Sequence, residues 1–139
     1  QTVRQTIEVL KTAFGGAVRS IRCLPRETAI ATGGSIQRIA RCISAQSGVP
    51  RTDVNGFTLS ADTLHDCVRQ LRDARTQAAR LQITGIDPER ADVLLGGALI
   101  FQILGDLLNV PEWTVSMNAL RAGLIACRDW PPVASQTES

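Results

Sequence analysis

Thr32-Gly33-Gly34-Ser35 is the stretch of this sequence whose residue types and spacing are best suited to bind an anion. It follows Thr28–Ala31, a run of small and β-branched residues that predicts a short buried strand. Beyond Ser35, a suitable N-cap, apolar residues recur at helical spacing (Ile36, Ile39, Ala40 and Ile43). Because backbone N–H groups and the helix dipole favour negative charge at a helix N-terminus, this turn is a candidate phosphate site. The alternative is an ordinary strand-to-helix turn, since T-G-G-S matches neither established phosphate-loop pattern.

Three side chains elsewhere could contribute to an anion site. The guanidinium of Arg90 has the geometry to clamp phosphate oxygens, although its position alone favours an exposed arginine in the first turn of a helix. Ser116 and Asn118 follow a predicted strand, at the carboxyl end where open α/β sheets bind ligands. Either residue could instead cap a helix.

The sequence offers little for acid–base or metal chemistry. No two carboxylates form an evident acid and base pair, and the acids of Asp87–Asp92 cluster where helix capping explains them. We expect His65 to be a surface group and Cys42 and Cys67 to be small core residues. No metal ligands are identified, because the cysteines are scattered and lack zinc-site spacing.

Composition narrows the class of protein. At 139 residues the chain fits one domain. Its formal net charge of +2 does not indicate the basic face of a dedicated nucleic-acid binder. The most apolar run, Val93–Leu104, is too short to cross a membrane, and no secretory signal is recognised. Four scattered cysteines suit a reducing compartment, so we expect a cytoplasmic protein.

Helical spacing accounts for most of the predicted elements in the first half. Val3, Ile7, Leu10 and Phe14 form the apolar stripe of a first helix, which we expect to end at Gly15-Gly16. After the glycine turn and its helix we predict a loop at Gln46–Asn55 and a brief extended segment at Gly56–Leu59. A helix capped by Ser60 and a separate shorter helix at Thr76–Gln82 follow.

A strongly apolar helix is predicted in the second half. Asp87-Pro88-Glu89-Arg90 carries the cap, proline and acid of a helix start. The following residues, Ala91–Asn109, are apolar almost all round, so this helix should be buried on most sides, with close backbone packing at Gly96-Gly97. A strand, Trp113–Ser116, and a last helix follow. The alternation predicts an α/β fold, helix-rich with a small, mainly parallel sheet.

Three stretches together resemble the exopolyphosphatase / guanosine pentaphosphate phosphatase (Ppx/GppA) family, which belongs to the actin-like superfamily. They are Ala31–Ala40, Gly85–Phe101 and Trp113–Ile125, which resemble the G-T-G-G-T turn, the P-x-x-R-A-D-V helix start and the V-S-D-x-x-L-R-E-G segment of that family. Their order and separation also agree. The resemblance implies a partial actin-like (ribonuclease H-like) ATPase domain, with residues 1–130 as the later half of the second domain and 131–139 as a flexible tail.

The resemblance also implies roles for particular residues. Thr32, Gly33, Gly34 and Ser35 correspond to the turn that lines the phosphate side of the interdomain cleft. It further implies Arg90 as a phosphate contact and Ser116 and Asn118 as part of the cleft wall.

Two features of the family pattern are absent from the sequence. Met117 and Ala122 stand where the family has acids, so neither is assigned a substrate or metal contact. The family's D-I-G-G-G-S loop and catalytic glutamate lie upstream of the first helix, so no catalytic residue is assigned here. The resemblance implies a parent hydrolase that removes terminal phosphate from inorganic polyphosphate or guanosine pentaphosphate with Mg²⁺, and a chain that is inactive alone.

Two other functions stay open at this point. One is a non-catalytic α/β interaction module, which the lost acids favour; the other is an actin-like nucleotide-binding domain that uses the same turn. Because upstream strands would be missing, we also expect an unpaired sheet edge at Thr28–Ala31 or Trp113–Ser116, and hence self-association.

Overall fold

Six α-helices, one 3-10 turn and three short strands form the described part of the chain, residues 3–24, 28–91 and 93–126, in the computed structural model. In chain order they are α1 (Val3–Arg22), β1 (Ile30–Thr32), α2 (Gly34–Gln46), β2 (Thr58–Ser60), α3 (Ala61–Asp73), α4 (Gln77–Leu81), the 3-10 turn (Pro88–Arg90), α5 (Leu94–Leu108), β3 (Glu112–Ser116) and α6 (Leu120–Ala126). Asp92, Cys127 and the tail predicted over residues 131–139 lie outside the described residues.

The sheet is mixed, with the strand order β1-β3-β2. β1 pairs in parallel with β3, which places Thr32 opposite Ser116, and β2 pairs antiparallel with β3. The predicted parallel pair is therefore confirmed, and the extended segment before Ser60 becomes a third strand. Of the two places where an unpaired edge was predicted, the strand at Thr28–Ala31 is confirmed, because β1 lies at an edge of the described sheet, whereas the strand at Trp113–Ser116 is central.

α5 is enclosed by other helices, since it packs against α1, α2 and α3. It also contacts the sheet, where the Phe101 and Trp113 rings meet edge to face with centroids 5.8 Å apart. A Cβ on Gly105 would lie 3.2 Å from Trp113 Nε1, so the small residue makes room for the indole. The predicted burial on most sides is confirmed, and helices supply most of the cover. No helix among the described residues is both long and apolar enough to span a bilayer.

α1 continues through Gly15-Gly16 to Arg22, so the helix end predicted at the glycines is wrong. Neither glycine has the positive φ of a helix C-cap. Val18, only 5% exposed, continues the apolar stripe one turn beyond Phe14, and α1 packs along α5. Burial of this longer stripe outweighs the weak helix propensity of the two glycines.

The N-terminus of α2 differs from the predicted one. The helix begins at Gly34 with Gly33 as the N-cap, so Ser35 lies in the first turn and is not the cap. Gly33 has a φ of 107°, a conformation that residues with a Cβ rarely adopt, and this allows the chain to change direction two residues earlier than predicted.

Asp87 is an N-cap, as predicted, but it caps a short 3-10 turn and not the long apolar helix. Asp87 Oδ1 accepts a hydrogen bond from the Glu89 N–H at 3.1 Å, which caps the 3-10 turn and not an α-helix. The buried Ala91 seats this turn on the core, and α5 begins only at Leu94. The helix start predicted at Asp87 is therefore displaced, because the chain makes one further turn first.

Two buried thiols confirm the prediction that Cys42 and Cys67 are core residues. Burial raises the pKa of both, that of Cys67 to about 12. Cys42 Sγ also donates a hydrogen bond to the carbonyl of Thr84 at 3.4 Å, which ties α2 to the segment before the 3-10 turn.

Candidate phosphate-binding site

The glycine turn lies where β1 and β3 end side by side. Gly33 follows β1 and, as the N-cap of α2, makes no side-chain capping hydrogen bond. The first N–H groups of an α-helix have no acceptor within the helix. The N-terminus of α2 therefore presents backbone donors together with the positive end of the helix dipole.

Gly85 allows the segment 84–90 to lie directly on α2. Its φ is 82°, and a Cβ at this position would lie 2.8 Å from Ala45 Cβ and 2.9 Å from Cys42 Cα. Only glycine fits both this backbone conformation and this spacing. The segment then runs along α2 toward the N-terminus of the helix.

Arg38, one helical turn nearer that N-terminus, holds the same segment. Its Nε lies 3.1 Å from Asp87 Oδ2, and the two side chains are 34% and 40% exposed. Farther along the segment, Arg90 reaches the first turn of α2. A pocket of about 270 Å³ forms there, lined by Gly34, Ser35, Arg38, Arg90, Val93 and Leu94.

Two arginines and one carboxylate set the charge of this pocket. The hydrogen bond from Arg38, then that from the Glu89 N–H, hold the pKa of Asp87 below its usual value, and the charge of Arg90 acts in the same direction. Asp87 therefore stays ionised at neutral pH. The guanidinium of Arg90 makes no hydrogen bond or ion pair with the described residues, so its donors are available to a ligand.

Arg38 is a site residue that sequence reasoning missed. A Cβ on Gly34 would lie only 2.7 Å from Arg38 Nη1, so the guanidinium covers the first turn of α2. The signal was present in the sequence, because a residue four positions after Gly34 lies on the same face of the helix.

Ser35 is held against α5 at Gly97. A Cβ on Gly97 would lie 2.8 Å from Ser35 Cβ and 2.9 Å from Ser35 Oγ. The predicted close packing is confirmed at Gly97 and is wrong at Gly96, where nothing lies within 4 Å of an added Cβ. The central helix thus fixes the position of the glycine turn.

Thr32, Ser116 and Asn118 form a hydrogen-bonded group at the strand ends. Thr32 Oγ1 lies within donating distance of two carbonyls, that of Ser116 at 3.1 Å and that of Asn118 at 3.3 Å. The Asn118 N–H donates to Ser116 Oγ at 3.2 Å. The structure therefore brings Gly34, Ser35 and Arg90 to one pocket. Thr32, Ser116 and Asn118 form a separate group on the β3 side of Gly33.

The described residues at the pocket do not suit Mg²⁺. No group of three or more His, Cys, Asp or Glu side chains among the described residues could hold a metal ion. Both carboxylate oxygens of Asp87 already accept hydrogen bonds, one from Arg38 and one from the Glu89 N–H. Because Mg²⁺ in proteins is held by available carboxylates and phosphates, this pocket offers cationic groups and not metal ligands.

A larger pocket, of about 390 Å³, lies at the opposite end of the strands. Its lining includes Ala29, Pro111 and Glu112, which lie before or at the starts of β1 and β3. It does not include any residue of the glycine turn, and we assign it no role in anion binding.

Comparison with known proteins identifies relatives by sequence. The model of the Ppx/GppA phosphatase family matches residues 1–128. A Haemophilus influenzae protein named as a candidate exopolyphosphatase is 28% identical over 104 residues, which are 75% of this chain and 30% of that protein.

Solved structures share the fold. The Aquifex aeolicus Ppx/GppA family member matches with a TM-score of 0.73 and 20% identity, over 91% of this chain and 40% of that one. An exopolyphosphatase from Cytophaga hutchinsonii matches with a TM-score of 0.74 and 18% identity, over 89% of this chain and 40% of that one. The chain therefore spans about 40% of the length of these structures, and the expected helix-rich, actin-like α/β fold is confirmed. The resemblance carried by the three sequence stretches is confirmed as well, and the chain belongs to the Ppx/GppA phosphatase family.

Proposed function

We propose that this chain supplies the phosphate-binding glycine turn of a phosphohydrolase that releases terminal phosphate from inorganic polyphosphate or guanosine pentaphosphate. Membership of a phosphatase family supports the hydrolase class. The observation that carries the proposal is the pocket that the N-terminus of α2 and Arg90 line together. Backbone N–H donors and a guanidinium suit phosphate oxygens.

The groups at this pocket favour binding and charge stabilisation over proton transfer. In phosphoryl transfer the transition state carries negative charge on its oxygens, and positioned N–H donors and arginines stabilise that charge. Asp87 is bound to Arg38 and is not available as a general base. In this proposal the carboxylate that activates water, and Mg²⁺, belong to a part of the parent protein outside this chain.

Tripolyphosphate is expected to shift the amide resonances of Gly34 and Ser35 in a saturable way, because their N–H groups lie at the pocket. The measurement is a ¹⁵N–¹H spectrum recorded during titration, with NaCl of matched ionic strength as the salt control. The amide of Gly48, in the turn after the C-terminus of α2, is the internal control and should not shift.

The matched variants for this titration are Arg90→Gln and Arg69→Gln. Arg69 is 70% exposed on α3 and pairs with Asp66, away from the pocket. We expect Arg90→Gln to weaken binding by about tenfold and Arg69→Gln to leave it nearly unchanged. No saturable shift in the wild type, or equal losses in both variants, would overturn the proposed site.

The 139-residue chain alone is expected to release no phosphate from polyphosphate, because the pocket among the described residues holds no available base. Phosphate release is measured with and without Mg²⁺, with the full-length parent as the positive control. Mg²⁺-dependent release that Arg90→Gln abolishes would show that this chain carries its own catalytic group.

A non-catalytic interaction role has one observation in its favour. Met117 occupies a position where the family pattern has an acid, and it is 38% exposed beside the strand ends. Titration of the full-length protein with ATP and with polyphosphate separates the alternatives. Binding of ATP alone would favour a nucleotide-binding domain, and binding of neither ligand would favour the interaction role.

A further inference from the structure

We propose that Arg38 is a second phosphate-binding side chain of this pocket and that Asp87 positions it. This inference rests on the proposed function and deepens it, because it names a residue beyond the glycine turn and the partner that orients it. The ligand class is a phosphate group at the end of a polyanion.

The hydrogen bond between Arg38 and Asp87 leaves the end of the guanidinium available. Asp87 Oδ2 accepts from Nε at 3.1 Å, and the other four N–H donors of Arg38 make no hydrogen bond with the described residues. The two terminal amino groups of arginine form the planar fork that binds phosphate through paired hydrogen bonds. A carboxylate that holds Nε therefore fixes the side chain without occupying that fork.

The position of the fork agrees with this role. Nη1 of Arg38 lies 2.7 Å from the place of a Cβ on Gly34, so the guanidinium covers the first turn of α2. Arg90 lines the same pocket, so a phosphate there would meet both arginines and the helix N-terminus.

The charge balance explains why orientation matters. Arg38, Arg90 and Asp87 together carry a formal charge of one positive unit, so the pocket is not simply a cationic patch. Its affinity for an anion depends on the fork of Arg38 pointing into the pocket while the carboxylate of Asp87 remains behind Nε.

The first test compares Arg38→Gln with Arg69→Gln in the tripolyphosphate titration. Both variants remove an arginine that is paired with an aspartate, at Asp87 and Asp66 respectively, but only the first pair lies at the pocket. We expect about tenfold weaker binding for Arg38→Gln and less than about twofold for Arg69→Gln. Arg38→Lys retains the charge without the fork and should fall between wild type and Arg38→Gln.

The second test separates orientation from charge with Asp87→Asn and Asp87→Ala. Both variants lose the negative charge, but only asparagine keeps one oxygen, which can accept from Arg38 Nε, while its amide nitrogen takes the place of the oxygen that accepts from the Glu89 N–H. We expect Asp87→Asn to bind at least as tightly as wild type and Asp87→Ala to bind about fivefold more weakly than Asp87→Asn.

The same pair of substitutions in an Arg38→Gln background decides through which residue Asp87 acts. If Asp87 positions Arg38, the ratio of the tripolyphosphate dissociation constants of Asp87→Ala and Asp87→Asn should fall to about one in this background. A ratio that persists would show that Asp87 acts through the turn carrying Arg90, and would overturn the positioning role.

If Arg90→Gln weakens binding while Arg38→Gln behaves like Arg69→Gln, the inference is wrong and the proposed function stands. If the wild type does not bind tripolyphosphate, both are wrong.

Discussion

Replacing Gly85 by alanine is expected to lower the free energy of unfolding by about 2–5 kcal/mol. About 1–2 kcal/mol comes from the left-handed conformation at a φ of 82°, which a residue with a Cβ resists. About 1–3 kcal/mol more comes from overpacking, because the new Cβ would lie 2.9 Å from Cys42 Cα and 2.8 Å from Ala45 Cβ. The backbone of α2 cannot move aside as a flexible side chain would.

The matched control for this substitution is Gly48→Ala. Gly48 has a φ of 79°, but an added Cβ would meet nothing within 4 Å. Urea unfolding should therefore show only the strain of about 1–2 kcal/mol for Gly48→Ala. Equal losses in the two variants would show that the segment 84–90 does not lie on α2 as described. Because that segment carries Arg90, Gly85→Ala should also weaken tripolyphosphate binding under conditions where it is folded.

Gly97→Ala is expected to lower the free energy of unfolding by about 1–3 kcal/mol, because the added methyl group overlaps Ser35. The clash is with Ser35 Cβ at 2.8 Å and Oγ at 2.9 Å. Gly96→Ala meets nothing within 4 Å and should instead stabilise the protein by up to about 1 kcal/mol, since alanine is the better helix former. Denaturant unfolding of the two neighbouring variants measures the contrast.

A second substitution at Ser35 makes the Gly97 prediction specific. Ser35→Gly removes the Cβ and should recover much of the stability lost in Gly97→Ala, whereas Ser35→Ala keeps the Cβ and should recover little. The amide resonances of Gly34 and Ser35 should move in Gly97→Ala and hardly move in Gly96→Ala. If Gly97→Ala is as stable as Gly96→Ala, α5 does not support the glycine turn.

Local patterns were sufficient to predict most elements of the fold. Apolar spacing located α2 and α3, the long apolar run located α5, and the cap predicted at Ser60 accepts a hydrogen bond from the Thr63 N–H. The end of α1 was missed because a glycine pair is a strong local stop signal. The apolar stripe that continues to Val18 predicts a longer helix only when α5, against which it is buried, is known.

Strand order could not be derived from the sequence, because pairing joins residues far apart in the chain. Thr58–Ser60 has the composition of a brief strand, but nothing local indicates that it adds antiparallel to β3. The two strands predicted at Thr28–Ala31 and Trp113–Ser116 account for the parallel pair of β1 and β3. The third strand, β2, pairs on the other side of β3 and makes β3 the central strand. This strand order decides between the two edges predicted from the sequence, because it leaves β1 at an edge of the described sheet and β3 in the centre.

Only part of the candidate site could be predicted from the sequence. The glycine turn and Arg90 stand out by composition and by resemblance, and the structure places both at one pocket. Arg38 was not singled out and Asp87 was interpreted only as a cap, because the contact between them depends on how the segment 84–90 lies on α2. That path in turn depends on Gly85, which fits against Cys42.

The alignment of the segment 84–90 with α2 also limits where the chain can change length. Thr84 and Asp87 contact Cys42 and Arg38, and Arg90 lines a pocket with Gly34, so the three positions match successive turns of α2 about 6 Å apart. An insertion or deletion between Gly85 and Arg90 would shift this register and carry the guanidinium away from the glycine turn. Length variation among relatives is therefore expected in the connection between α3 and Thr84, while the interval from Gly85 to Arg90 stays constant.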